Sequence, residues 1–347
     1  MVAWAVAGTA VAFGLLLIDV HVSGQGIVRL IRPGRVGPAV GVVRHDFPEA
    51  ALPAGSGLDG QQFYAIARNP WHADEVAPHL GHPRYRYQRI LLPALAWVLH
   101  PSGGGSGLLY ALVAVNLAGL LVGALALGEL SQQLGGPRWL AVLYPVLPGA
   151  LLSLLVTVAD GLAVALALVT VTAFLRGRNV LASAAAVGAV LARETTILVP
   201  LALLLARRRR SDAAVLVAPA LAMAAWFLVV RVAVPAGGSL PEQLVAPLTG
   251  LVEAVRTRWL HGHELLGMAA TVSALAAGGY VLARAKGPAE LRWVAAVQVA
   301  FLLVCSSDVL GNDFGGTRST LALLAVALPV LAAATPARAG SDLPRRA

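Results

Sequence analysis

Charge is scarce in this 347-residue chain: charged residues make up 12%, hydrophobic residues 58%, and mean hydropathy is +0.76. Soluble domains carry about 25% charged residues, so this composition excludes an ordinary water-soluble enzyme. There is one cysteine, Cys305, which excludes an internal disulfide and leaves the redox compartment unmarked. Apolar–polar alternation of period two is missing, and that excludes a membrane β-barrel. Lysine is nearly missing as well: Lys286 is the one lysine among 26 basic residues. With the abundance of alanine and glycine, this is the bias of GC-rich bacterial coding. The net charge of +9 is no argument for a nucleic-acid partner. Much of it sits in short loops between apolar runs, where the positive-inside rule places arginine.

The chain does have long apolar runs. Lipid offers no hydrogen bonds to a peptide group, so such runs must be helical. About ten membrane-embedded segments are expected, at 2–22, 106–129, 138–156, 160–176, 180–192, 195–206, 213–234, 264–284, 290–307 and 318–336. The first lacks a basic leader and a small-residue cleavage site, and is expected to stay as a helix. Basic residues at Arg176 and Arg178, Arg207 to Arg210, Arg284 and Lys286, and Arg338, Arg345 and Arg346 mark cytoplasmic ends. An even number of segments separates each group from the next, so both termini are expected in the cytoplasm of a bacterial inner membrane. Two segments are short. A helix over 180–192 spans roughly 20 Å against a hydrocarbon core of about 30 Å, so 180–192 and 195–206 are expected to enter and return, with Arg193-Glu194-Thr195 at the tip.

This orientation leaves residues 23–105 as one large extracytoplasmic loop, too long for a plain connection. It contains a helical stretch from Gln61 to Arg68, an aromatic and basic cluster at 84–89, and a short apolar run at 90–99 suited to the membrane interface. The remainder forms a membrane helical core over 106–336 with no separate soluble domain.

Within the loop, Asp59 opens the stretch Asp59-Gly60-Gln61-Gln62-Phe63-Tyr64-Ala65-Ile66-Ala67. A carboxylate there can act as a general base on an incoming hydroxyl. Asp59 followed by Gln62 also fits a helix-capping box with no chemistry, and the two readings are compatible. Arg84, Arg86 and Arg89 suit phosphate oxygens; they equally suit an interfacial helix at headgroup level. Arg193 at membrane depth costs roughly 2.5–3.5 kcal/mol and calls for a partner or a cavity, either Glu194 beside it or an anionic lipid head. Asp160 is a turn residue or a cavity-lining carboxylate. Arg318, at a helix start on the outer side, is a second candidate phosphate contact. No metal site is expected, since the spacing of His72, His79 and His82 fits no zinc pattern.

A first helix followed by a long outer loop bearing Asp-Gly-x-x-Phe-Tyr-x-Ile-Ala resembles the C-type (GT-C) integral membrane glycosyltransferases. The nearest likeness is to the mannosyltransferases of glycolipid-anchor assembly and their uncharacterised bacterial relatives. Leu58 stands where the anchor enzymes carry tryptophan. Tyr87-Gln88-Arg89-Ile90-Leu91-Leu92-Pro93 stands where they carry an aromatic- and proline-rich stretch, and the bacterial relatives read much as this chain does there. Tyr144-Pro145, Asp160 and the Arg193-Glu194 tip follow in the same order. The likeness covers about residues 1–210, while the C-terminal third shares hydrophobicity alone.

This resemblance implies an all-α, GT-C-like bundle and inverting transfer of a sugar, with mannose one candidate, from a polyprenyl-phosphate donor. The acceptor would be an extracytoplasmic hydroxyl on a glycan, lipid or protein. Asp59 would be the general base, with Asp46 of Arg44-His45-Asp46-Phe47 its rival. Arg193, Arg89, Arg86 and Arg318 would bind the donor phosphate, and Gln62, Tyr64, Asp160 and Glu194 would line the cavity. No cofactor is implied, because the lipid-linked sugar is a substrate. A transporter or flippase of an anionic substrate and a non-catalytic assembly subunit are the rival expectations.

Overall fold

The computed structural model describes residues 1–101, 103–207, 209, 212–237, 243–284 and 287–334. Arg208, Arg210, Lys286, Arg338, Arg345 and Arg346, all used above for orientation, lie outside these residues, as do 335 and 336 of the last predicted segment. Among the described residues the chain is all-helical, with β-pairing confined to two isolated bridges, Pro33 with Gly57 and Leu244 with Cys305.

Helix α1 (Val2–Ser23) leads into a loop region holding α2 (Val40–Asp46), α3 (Gly60–Arg68), α4 (Ala73–Val76), α5 (Pro83–Tyr87) and α6 (Leu91–Leu99). The core follows as α7 (Gly105–Gln133), α8 (Pro148–Leu155), α9 (Asp160–Leu175), α10 (Asn179–Ala192), α11 (Leu198–Arg207) and α12 (Ala214–Ala233). A second connecting region carries α13 (Thr249–Thr257), and the chain continues through α14 (Leu265–Arg284), α15 (Ala289–Val304), α16 (Ser307–Leu310) and α17 (Asp313–Ala334).

Five of these helices, α1, α7, α12, α14 and α17, are long and apolar enough to cross a membrane. Together they fit an integral membrane protein. The run expected as one span at 138–156 is broken instead. Two 3₁₀ turns, Arg138–Val142 and Tyr144–Val146, meet α8 at a bend of 49°. Pro145 and Pro148 explain the break, because each removes a backbone donor and crowds the preceding turn. Counted as one span, the bent pair makes a sixth crossing. Helices α9, α10 and α11 have 16, 14 and 10 residues, fewer than the ~20 a full crossing needs.

Small residues let these helices approach closely, the usual basis of association where both faces are apolar. On α1 the buried positions are Ala5, Gly8, Ala12 and Leu16, one stripe at helical spacing. A Cβ on Gly8 would lie 2.5 Å from the Val142 carbonyl oxygen. The outward face of α1 carries Trp4, Val11, Leu17 and Ile18, all exposed and apolar, as a lipid-facing surface should be. The Tyr144 ring packs on Gly123 of α7, and its hydroxyl donates to the Gly161 carbonyl at 2.5 Å. One aromatic side chain thereby ties the broken segment to α7 and α9.

The loop region is packed, not splayed over the surface. In α3 every residue from Gly60 to Ala67 is buried. Burying Phe63, Tyr64 and Ile66 contributes roughly 1.5–3 kcal/mol each relative to exposure. Gly60 is required at the start of α3, since a Cβ would sit 2.0 Å from the Val156 carbonyl oxygen and 2.9 Å from that of Ile31. The chain leaves Val156 through Thr157, whose positive φ of 56° is held by its hydroxyl donating to the Leu30 carbonyl at 2.6 Å. Two residues beyond Val158 lies Asp160. The Asp-Gly pair and Asp160 are thus brought together by one backbone contact.

Candidate functional site

Asp59 is the N-cap residue of α3, but its side chain makes no capping hydrogen bond. The capping box expected with Gln62 does not form. Gln62 Oε1 accepts from the Gly81 backbone N–H at 2.9 Å instead. The Asp59 carboxylate faces arginines from two distant parts of the chain. Arg86 Nη1 lies 2.9 Å from Oδ2, and Arg318 Nη1 lies 3.4 Å from the same oxygen. Oδ1 accepts no hydrogen bond from any described residue. Burial pushes the carboxyl group's pKa up, but Arg86 and then Arg318 outweigh it and hold it below the ordinary aspartate value.

Four guanidiniums, Arg86, Arg89, Arg193 and Arg318, line one cavity of about 330 Å³ with Asp59. That volume is at the small end of ligand pockets and suits a head of sugar-phosphate size. Beneath the cavity, Arg89 forms a two-point pair with Glu194, Nε to Oε2 at 3.0 Å and Nη2 to Oε1 at 2.8 Å. Asp160, which is 2% exposed, takes Arg193 on Oδ1 and Arg318 on Oδ2, the latter at 2.5 Å from Nη2. Arg318 therefore bridges Asp59 and Asp160. Its guanidinium also lies 4.1 Å from the Phe314 ring centre, and that of Arg89 lies 4.5 Å from the Tyr85 ring centre.

The balance of charge in this cluster is uneven. Four arginines meet three carboxylates, Asp59, Asp160 and Glu194. One positive charge is left in excess at a desolvated site, which favours an anionic ligand. Asp308 at the rim does not cancel it, being paired with Arg258 at 3.3 Å.

The predicted residues divide accordingly. Asp59, Arg86, Arg89, Arg193 and Arg318 come together in the cavity wall; Asp160 and Glu194, expected to line it, are not among its lining residues and instead pair with those arginines. Within the 84–89 cluster Tyr87 and Arg89 are buried, at 1% and 4% exposed, while Arg84, Tyr85, Arg86 and Gln88 are partly exposed. Arg84 stands apart and anchors α5 elsewhere, donating to the Val234 and Arg231 carbonyls at the end of α12. Gln62 and Tyr64, expected to line the cavity, do not, since their polar atoms face other parts of the loop.

Asp46 does not line it either. Its Oδ2 accepts from the Tyr64 hydroxyl at 2.6 Å and pairs with Arg68 at 2.9 Å, while His45 Nδ1 lies 2.9 Å from Oδ1. The Tyr64 oxygen in turn accepts from the Gly105 backbone N–H at 2.7 Å. This clasp joins α2 and the far end of α3 to the start of α7.

The wall opposite Asp59 was missed from sequence. It is built by Gln243, Asp308, Asn312, Phe314 and Ser319, from the third of the chain that carries no recognisable motif. The one available signal was the density of polar residues between Asp308 and Arg318 at a helix start.

No family model matches this chain, and no curated protein or solved structure matches it either.

Proposed function

We propose that the protein is an integral membrane glycosyltransferase of GT-C type that moves a sugar from a polyprenyl phosphate to an extracytoplasmic acceptor hydroxyl. The observation that carries the proposal is the convergence of Asp59, with one carboxylate oxygen unengaged, and an arginine cluster of net positive charge on one cavity. The order of motifs along residues 1–210 supports the same reading. In this account the protein has about ten embedded segments, with the cavity on the outer side of a bacterial inner membrane and both termini in the cytoplasm.

The step balances without a further reactant. The acceptor oxygen attacks the anomeric carbon from the face opposite the phosphate, and its proton passes to Asp59 Oδ1. The bond between the anomeric carbon and the phosphate oxygen breaks, and its electron pair stays on the phosphate. The products are an inverted glycoside and the polyprenyl phosphate. Negative charge grows on the leaving phosphate as that bond stretches, so preorganised arginines stabilise the transition state more than the ground state. A positioned carboxylate base contributes typically 10²–10⁴-fold.

The test is transfer in proteoliposomes from radiolabelled polyprenyl-phosphate mannose, followed by a panel of other polyprenyl-phosphate sugars. Transfer by the wild type that Asp59→Asn abolishes at matched folding supports the proposal. Absence of transfer across the whole panel, with movement of labelled lipid between leaflets, would replace it with the flippase reading.

A further inference from the structure

The arginines of the cavity are not equivalent, and their carboxylate partners tell them apart. Arg89 is satisfied by Glu194 through two hydrogen bonds in register. Such a pair exchanges its partner at high cost, because separating it leaves a charge uncompensated in a dry site. Arg193 is likewise tied to Asp160, and Arg318 places Nε and Nη2 on that same carboxylate at 2.6 and 2.5 Å, leaving Nη1 toward Asp59. Arg86 has a different situation. Its one carboxylate is Asp59, and it shares a single oxygen of that group with Arg318. Asp160 is 2% exposed and Glu194 21%, the same as Asp59, but of the three it is Asp59 that lines the cavity. It is the carboxylate of the cluster placed both at the cavity surface and between two guanidiniums.

Two guanidinium groups converging on one oxygen are the arrangement that holds a phosphate ester, whose oxygens accept from several N–H groups at once. Resting on the proposed function above, we propose that Arg86 and Arg318 form the phosphate-binding fork of this site and that Asp59 is its resident anion, displaced by the phosphate of the donor. In the exchange Arg86 changes its counter-ion, while Arg318 keeps Asp160 on Nε and Nη2 and turns Nη1 from Asp59 to the phosphate. The exchange frees Asp59 from both arginines in the loaded state, which is when a base is needed. Arg89 and Arg193 stay with Glu194 and Asp160 and act as positioning residues, holding the floor beneath the fork. Arg193 Nε is buried and has no acceptor among the described residues, so the floor retains a donor that an entering oxygen can also use.

A carboxylate that competes with the ligand makes a prediction that a structural carboxylate does not. Removing it should tighten binding. The experiment measures binding of undecaprenyl phosphate in nanodiscs by native mass spectrometry, and of mannose 1-phosphate to detergent-solubilised protein by calorimetry. Full-length wild type, Asp59→Asn, Asp59→Ser, Arg86→Gln, Arg318→Gln and the double variant Arg89→Gln/Glu194→Gln are compared, each checked for a cooperative thermal transition. Expected are a gain of about tenfold or more for both Asp59 variants and a loss of similar size for Arg86→Gln and Arg318→Gln. The Arg89/Glu194 double variant, which alters the floor, should lose clearly less than Arg86→Gln. A gain with both probes assigns the fork to phosphate itself; a gain with undecaprenyl phosphate alone assigns it to lipid-borne phosphate. Unchanged or weaker binding by both Asp59 variants overturns the exchange, as does a loss in the double variant equal to that of Arg86→Gln. The binding readout is independent of turnover. Tightening without transfer would keep the fork and remove the enzyme, while transfer without tightening would do the reverse.

Discussion

The two ends of α3 hold two loop aspartates in opposite circumstances. Asp46, at the far end, takes the Tyr64 hydroxyl and Arg68 on Oδ2 and has the His45 ring 2.9 Å from Oδ1, and its tyrosine is fixed in turn by the Gly105 backbone. Asp59, at the near end, has one oxygen shared by two arginines and the other unengaged beside a cavity with an excess positive charge. Both are acidic, both lie in the same loop and both are paired with arginine. What separates them is whether the partners exhaust the carboxylate. An exhausted carboxylate joins elements; one left with an open oxygen at a cavity can accept a proton.

The sharpest break in this comparison should come from the conservative amide at each end. Asp59→Asn is expected to lower transfer per folded molecule by about 10²–10⁴-fold, with a loss of stability besides, because Arg86 and Arg318 lose the carboxylate they share. Asp46→Asn should act on stability alone, costing about 1.5–3 kcal/mol through the weakened Arg68 and Tyr64 contacts, read by thermal unfolding in detergent. Its transfer per folded molecule should be unchanged. A smaller effect is expected for Tyr64→Phe, which leaves the Asp46 oxygen and the Gly105 N–H short of a partner, about 1–3 kcal/mol, again with transfer per folded molecule intact.

Acid titration sharpens the contrast further and has the least effect near neutral pH. The Asp59 pKa is depressed below 3.8, the ordinary value. Its contribution to stability is therefore fully present above the unfolded-state value and is lost only as pH falls through the lower folded value. Transfer by the free enzyme should show no loss from Asp59 protonation between pH 7 and about pH 5. An acid limb centred above pH 5 that disappears in a variant at Asp59 would contradict the arginine-held carboxylate.

Much of this architecture was legible in the sequence because lipid imposes a strong rule. Each long run without charge had to be helical, and the bounds of α1, α7, α12 and α14 fall within a few residues of the predicted runs. The short pair around Arg193 was legible for a related reason: two charged residues between apolar stretches mark a turn that needs a polar cavity or a partner. The break at 138–156 was less visible, although Pro145 and Pro148 were there to signal it. Hydropathy averages over a window and is blind to a missing backbone donor.

The site was legible on one side. Asp59, Arg86, Arg89 and Arg193 carry motif and depth signals that single them out. Whether Asp59 caps a helix or faces a cavity was not decidable from Asp-x-x-Gln, because both uses have the same spacing. Arg318, which lies 259 positions away in sequence, decides it. The wall of Gln243, Asp308 and Asn312 has no periodicity at all, and it meets Asp59 and Arg86 around one cavity only in the folded chain.

The measurement that tests the central claim most directly is transfer per folded molecule from polyprenyl-phosphate mannose, with Asp59→Asn and Asp46→Asn compared side by side in the same proteoliposomes. The account predicts transfer near wild type for the Asp46 variant and its loss for the Asp59 variant. Loss confined to the Asp46 variant, or equal transfer by both, would contradict it.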